Sequence, residues 1–160
     1  MLKDYGAGVA RRYGYRRGPE WRAARRAYLK RQPSCAACKV QYRGFFAPLR
    51  RLFTGTVVHH IVPIHVCFAL GRPDLETDTR NLLTLCAGHH LLIGHVLNYE
   101  EFNIYAKACV LRCWGKPTSE IWDNPEFKRF AEERYRPFSM WSDEEREAFR
   151  RKLWEKFPPK

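Results

Sequence analysis

The sequence predicts an α+β fold: a small unit of strand, loop, strand and helix, tied together by a pair of close cysteines and flanked by helices. Three observations predict it. VVHHIVPI (57–64) is a β-branched run broken by Pro63, and NLLTLC (81–86) is a second apolar run leading into a short helical pattern over 87–93. Helical patterns with capping signals lie on both sides, at 19–32 and again after residue 119. With 160 residues and 45% apolar content, the chain suffices for one core with extensions but hardly for two.

In chain order, residues 1–18 are rich in glycine, arginine and tyrosine, have no periodicity, and are expected to form a basic flexible arm. Pro19 opens PEWRAARRAYLKRQ, in which Trp21, Ala24 and Tyr28 share one face while Arg22, Arg26 and Lys30 point elsewhere. This is a basic amphipathic helix ended by Pro33. Phe45 to Phe53 reads as a connection or short helix, and Thr54 to His60 as a strand. His65 and Cys67 fall in a loop region that runs on into the polar GRPDLETDTR (71–80); LLTL then reads as a strand or extended turn. FNIYAKACVLRCW (102–114) reads as a helix with Cys109 and Cys113 as buried small hydrophobes. The central domain is placed at 19–118, and 119–160 is read as a helical extension packed on it. There Asp123 or Asn124 caps one helix and Ser142 with Glu145 makes the capping box of another, whose Phe149, Leu153 and Trp154 or Phe157 form a stripe.

The formal net charge is +12 and is unevenly spread: residues 1–31 hold ten Lys/Arg against two acids, whereas 119–160 hold ten of each. Arginines beside tyrosines and a tryptophan suit a polyanion, because neutralised phosphates release counterions and aromatic rings pack on sugars and bases. A nucleic acid is therefore the expected partner, ahead of an acidic protein or an anionic membrane. No run of eighteen apolar residues occurs and the start lacks the apolar stretch of a secretory signal, so a soluble, cytoplasmic protein is expected. In such a compartment Cys35, Cys38 and Cys86 read as thiolate metal ligands, not disulfide partners. The C-x2-C spacing of Cys35 and Cys38 is that of a zinc knuckle, whose tight turn lets two sulfurs meet one tetrahedral ion.

All six histidines lie between His59 and His95. VHHIVP, followed by NLLTLC and a histidine-bearing helix, resembles the HNH or His-Me finger endonuclease family, and the preceding C-x2-C is similar to its zinc-containing branch. The resemblance covers about residues 35–95. It implies a ββα-metal core stapled by a structural zinc, and hydrolysis of phosphodiester bonds, most simply of DNA, by one divalent metal (Mg2+, Mn2+, Ni2+ or Zn2+). Carried over by position, His59 is a ligand of the catalytic metal and His60 is the general base. His90 is the second ligand. Asn81 is the middle residue of the motif, which either shapes the base-bearing loop or reaches the metal. The expected products are a 5′ phosphate and a 3′ hydroxyl.

The chain departs from the family at the second cysteine pair, where it offers Cys86-Ala-Gly-His89. Histidine can serve as fourth ligand, so Cys35, Cys38, Cys86 and His89 are read as a closed Cys3His site. The swapped register, with His90 on the zinc and His89 on the catalytic metal, is the disfavoured alternative. His95 is a further candidate, since some relatives of the family place a second metal-binding histidine one turn after the last H; here it lies five residues beyond His90, about 140 degrees round an ideal helix, with Gly94 as a candidate helix end, and the site is assigned without it. The competing reading of the chain is a non-catalytic, zinc-stapled nucleic-acid-binding module; a zinc-ribbon interaction domain explains neither the charge nor the histidine doublet. No coiled coil or paired recognition helix is visible that would set an oligomeric state.

Overall fold

A computed structural model describes residues 17–41, 56–95, 102–112, 120–121, 123–134 and 138–158. Most of the expected arm, the Phe45 to Phe53 connection and Cys113 lie outside the described residues. The protein is an α+β fold with a two-stranded antiparallel sheet and several helices.

Helix α1 (Pro19–Arg31) begins on the proline, which fixes φ and lacks only an N–H that would have had no helical partner. It ends where the Gln32 N–H returns to the Tyr28 carbonyl, one residue before Pro33. Its apolar face is narrow: Trp21 and Tyr28 are buried, Arg25 is half-buried, and Arg22, Arg26 and Arg31 are exposed. After a short turn, α2 (Ala36–Gln41) carries Cys38.

Strands β1 (Thr56–His60) and β2 (Leu82–Cys86) pair from Thr56 opposite Cys86 to His60 opposite Leu82. Strand alternation gives this ribbon two faces. Val58 and Leu82 cluster with Trp21 and Tyr28 of α1, and the dock is fixed by Tyr28 Oη donating to the Leu82 carbonyl (2.9 Å) and Thr84 Oγ1 to the Gln32 carbonyl (2.6 Å). Leu83 and Leu85, on the other face, join Cys35, Cys86, Leu92 and Ile93 in the largest core cluster. His59 and His60, as neighbours on one strand, are thereby sent to different faces.

The connection between the strands corrects the loop expected around His65 and Cys67. Residues Ile64–Ala69 form helix α3, with Val66 and Cys67 buried, stopped at Gly71 by a left-handed φ of 71° that favours glycine. Six residues starting at a proline N-cap are too few to display helical periodicity. Two 3-10 turns, Pro73–Glu76 and Thr79–Asn81, complete the connection.

After β2 the chain makes one α-turn, α4 (Ala87–His89), and then a π turn, His90–Gly94, closed by the His95 N–H on the His90 carbonyl (3.2 Å). Helix α5 (Ala106–Arg112) covers the core cluster with Ala106, Cys109 and Val110. Helix α6 (Pro125–Arg134) is capped by Asn124, whose Oδ1 accepts from the Glu126 N–H (2.8 Å). Helix α7 (Asp143–Lys156) has the full Ser142/Glu145 capping box. It lays Phe149, Leu153 and Phe157 on Val62, Val66, Leu75 and Phe102, each such side chain contributing about 1.5–3 kcal/mol of burial. Trp154 is off that stripe, stacked on the Arg72 guanidinium at 4.6 Å. The C-terminal extension is thus packed on the connection that follows β1. No helix among the described residues is long and apolar enough to cross a membrane.

Candidate metal centres

The first centre joins the α2 knuckle to the end of β2. Cys35, Cys38, Cys86 and His89 bring their ligand atoms within 4.8 Å of one another. His89 Nδ1 lies 3.5 Å from Cys35 Sγ, 3.5 Å from Cys38 Sγ and 3.2 Å from Cys86 Sγ, and the Cys38 and Cys86 sulfurs are 3.9 Å apart. A tetrahedral zinc with ordinary bond lengths needs S···S separations of about 3.8 Å and S···N of about 3.5 Å. The cluster fits a structural metal such as zinc, and its four ligands close the coordination sphere. Contacts with the Cys35 and Cys86 sulfurs push the Cys38 thiol up, whereas contacts with Cys35 and Cys38 hold Cys86 down. Burial pulls the His89 imidazole down, but Cys35 and Cys86 outweigh it and raise it to about 9. The structure therefore places His89, not His90, with the thiolates.

The second centre lies where β1 meets the π turn. His59, His90 and His95 bring ligand nitrogens within 4.8 Å of one another, with ring centroids 5.0 Å (59–90), 5.2 Å (59–95) and 4.6 Å (90–95) apart and rings nearly perpendicular. His59 Nε2 is buried without a hydrogen-bond partner, an orphaned acceptor or donor that a metal would satisfy. Burial, reinforced by His90 and His95, holds the His59 imidazole well below its ordinary range; burial and then His95 bring His90 to about 4. Three neutral imidazoles are a donor set suited to divalent transition metals. His95, which ideal helix geometry kept out of the expected site, belongs to this group because an i→i+5 turn closes on the fifth residue and lays His95 over His90. Nothing in the local residue types announces a π turn.

Gly94, read from the sequence only as a helix end, has a second role in packing. A Cβ there would lie 2.8 Å from His59 Cε1 and 3.0–3.1 Å from its two ring nitrogens, against a side chain held in the core. Gly94→Ala is expected to displace the His59 ring and weaken nickel binding at this centre by about 10–100-fold, with the structural zinc retained. Calorimetric titration of zinc-loaded protein checks this; unchanged nickel affinity would show that the ring has room to move.

His60 sits across the ribbon from the three-histidine cluster. Its ring packs on Trp21 (4.4 Å), whose other neighbour is the Arg17 guanidinium at 4.8 Å, and its Nε2 lies 2.8 Å from the Glu76 carbonyl. A carbonyl only accepts, so Nε2 carries the proton and Nδ1 the lone pair. Burial, against the Glu76 bond and with Arg17, lowers His60 to about 3. Asn81 is fully buried and belongs to neither cluster: its Oδ1 accepts from the Val62 N–H (2.8 Å) and its Nδ2 donates to the carbonyls of Val62 (3.1 Å) and Leu75 (3.0 Å). It ties the segment after β1 to the turn whose Glu76 carbonyl orients His60.

These buried imidazoles fix the sign of an acid response. An unfolded chain protonates His60, His65 and His90 near their ordinary 6.5, whereas burial in the folded chain lowers all three, to about 4 for His90 and about 3 for His60. Stability is full above pH 6.5 and declines as pH falls through that window, since the unfolded state binds more protons. The melting temperature of zinc-loaded protein should drop steadily between about pH 7 and 5. A flat profile would place these rings in water.

Comparison of the chain with protein-family profiles, with curated proteins and with solved structures finds no match in any of the three.

Proposed function

We propose that the chain is a metal-dependent endonuclease of the HNH type, built on a ββα-metal core, that hydrolyses phosphodiester bonds of DNA. The observation that carries this reading is the pairing of two different clusters around one strand-loop-strand-turn unit: a closed Cys3His set that ties it to the preceding knuckle, beside an open set of three imidazoles. Structural zinc sites use four protein ligands, and catalytic ones use three and leave a position for substrate or water. His59, His90 and His95 would hold the divalent metal, which would supply Lewis-acid stabilisation of the charge on a phosphoryl oxygen and on the leaving 3′ oxygen.

The chain's own residues supply the rest. His60 is held as the Nε2–H tautomer by Glu76, which leaves the Nδ1 lone pair to take a proton from water; for the base and the metal to act on one phosphodiester, the substrate must sit at the carboxyl end of β1, where the two faces carrying His59 and His60 meet. At about 3 its basicity is low for this task; a phosphate dianion or diester brought alongside favours the charged imidazolium and raises it. Asn81 positions the loop. Arg17 stacks on Trp21, the residue covering His60, and the exposed Arg22, Arg26 and Lys30 give α1 a cationic outer face for a phosphate backbone.

A second reading, a zinc-stapled nucleic-acid-binding module without activity, draws on one observation: His60 is 6% exposed and lies on the α1 face of the ribbon. Nicking of supercoiled plasmid separates the two. Zinc-loaded protein should nick when magnesium, manganese or nickel is added and stop on chelation, whereas a binder retards the plasmid and leaves it supercoiled.

A further inference from the structure

We infer that Asn103 is a positioning residue for the three-histidine centre, a latch that holds the π turn in the register that makes His95 a ligand. The inference rests on the metal-site reading above and extends it to a residue in a different segment of the chain. A π turn is seldom stable on its own, because widening the helix by one residue leaves the carbonyls at its end poorly satisfied. Here those carbonyls belong to Ile93 and Gly94, and both are taken by one residue. Asn103 Nδ2 donates to the Ile93 carbonyl (2.9 Å), and the Asn103 backbone N–H donates to the Gly94 carbonyl (3.1 Å).

Asn103 is itself fixed. It is fully buried, its Oδ1 accepts from the Tyr105 N–H (2.8 Å), its Nδ2 also lies 3.2 Å from Cys109 Sγ, and its carbonyl receives the first N–H of α5 from Ala106 (3.0 Å). One side-chain and one backbone hydrogen bond from this fixed residue hold the end of the π turn, with Gly94 against the His59 ring and His95 beside His90. An α-helical register would carry His95 about 140 degrees away from His90 and leave a two-histidine site.

The test is a double-mutant cycle read by cobalt titration of zinc-loaded protein. Asn103→Ala should weaken cobalt binding at the second centre by about 10–100-fold and shift its spectrum from the intense bands of a tetrahedral ion to the weak bands of a more hydrated one, with one zinc retained. His95→Ala should do the same. The double variant should lose nothing more, because Asn103 acts through His95. Additive losses, or cobalt affinity and spectrum unchanged in Asn103→Ala, overturn the latch. If Asn103→Ala loses its zinc and unfolds, Asn103→Leu, which fills the same space without a donor, is read by the same cycle. The readout is metal affinity, so the result judges the latch whether or not the protein cuts DNA.

Discussion

Cys86→Ser is expected to leave a chain that does not fold. Cys86 is a ligand of the closed cluster and also part of the largest core group, with Cys35, Leu85, Leu92 and Ile93 around it. Binding a structural zinc is worth roughly 10–16 kcal/mol in small domains, and that free energy is folding free energy because the unfolded chain has no preformed site. A domain's whole margin is about 5–15 kcal/mol, so weakening this one site can exhaust it. Among the described residues the sheet has two strands, a pairing that alone is marginal in water. The variant should lack zinc, show the far-ultraviolet circular dichroism of a largely disordered chain and have no cooperative melt; chelation of the parent protein should give the same spectrum. A Cys86→Ser protein that melts like the parent would remove the staple.

The second large effect is expected on cleavage, not on folding. His60→Ala should reduce plasmid nicking by about 10²–10⁴-fold, the usual contribution of a general base, while zinc content, nickel binding and retardation of DNA stay at parent levels. The metal ligands are untouched because His60 lies on the Trp21 side of the ribbon and His59 on the other. The cavity left beside Trp21 lowers stability, so rates are compared well below the melting temperature. Equal nicking by the variant would put the base elsewhere and leave His60 a packed core histidine.

The sequence disclosed whatever depended on local chemistry. The proline start and apolar face of α1, the paired runs at Val57 and Leu82, the Ser142/Glu145 capping box and the Cys35/Cys38 spacing each have a short-range cause, and each lies in the structure close to where the sequence puts it. Even the separation of His89 from His90 follows from the turn after Cys86. What stayed hidden depended on distant segments. His95 joins His59 only through a π turn whose end is satisfied by Asn103, a residue read simply as part of a helix. The small size of Gly94 acquires meaning only with a ring opposite it. Helix α3 was missed because its stability comes from burying Val66 and Cys67 against α7, not from periodicity. The face occupied by His60 could not be foretold without knowing that α1 folds back over the ribbon.

Crystals grown with zinc and nickel, measured at the absorption edges of both metals, put the two centres to the most direct trial. Anomalous maps should give a zinc peak among Cys35, Cys38, Cys86 and His89, and a separate nickel peak bonded to nitrogens of His59, His90 and His95. Nickel bound elsewhere, or a second centre that stays empty at saturating nickel, would contradict the assignment of those three histidines as a metal site and, with it, the hydrolytic function proposed for the chain.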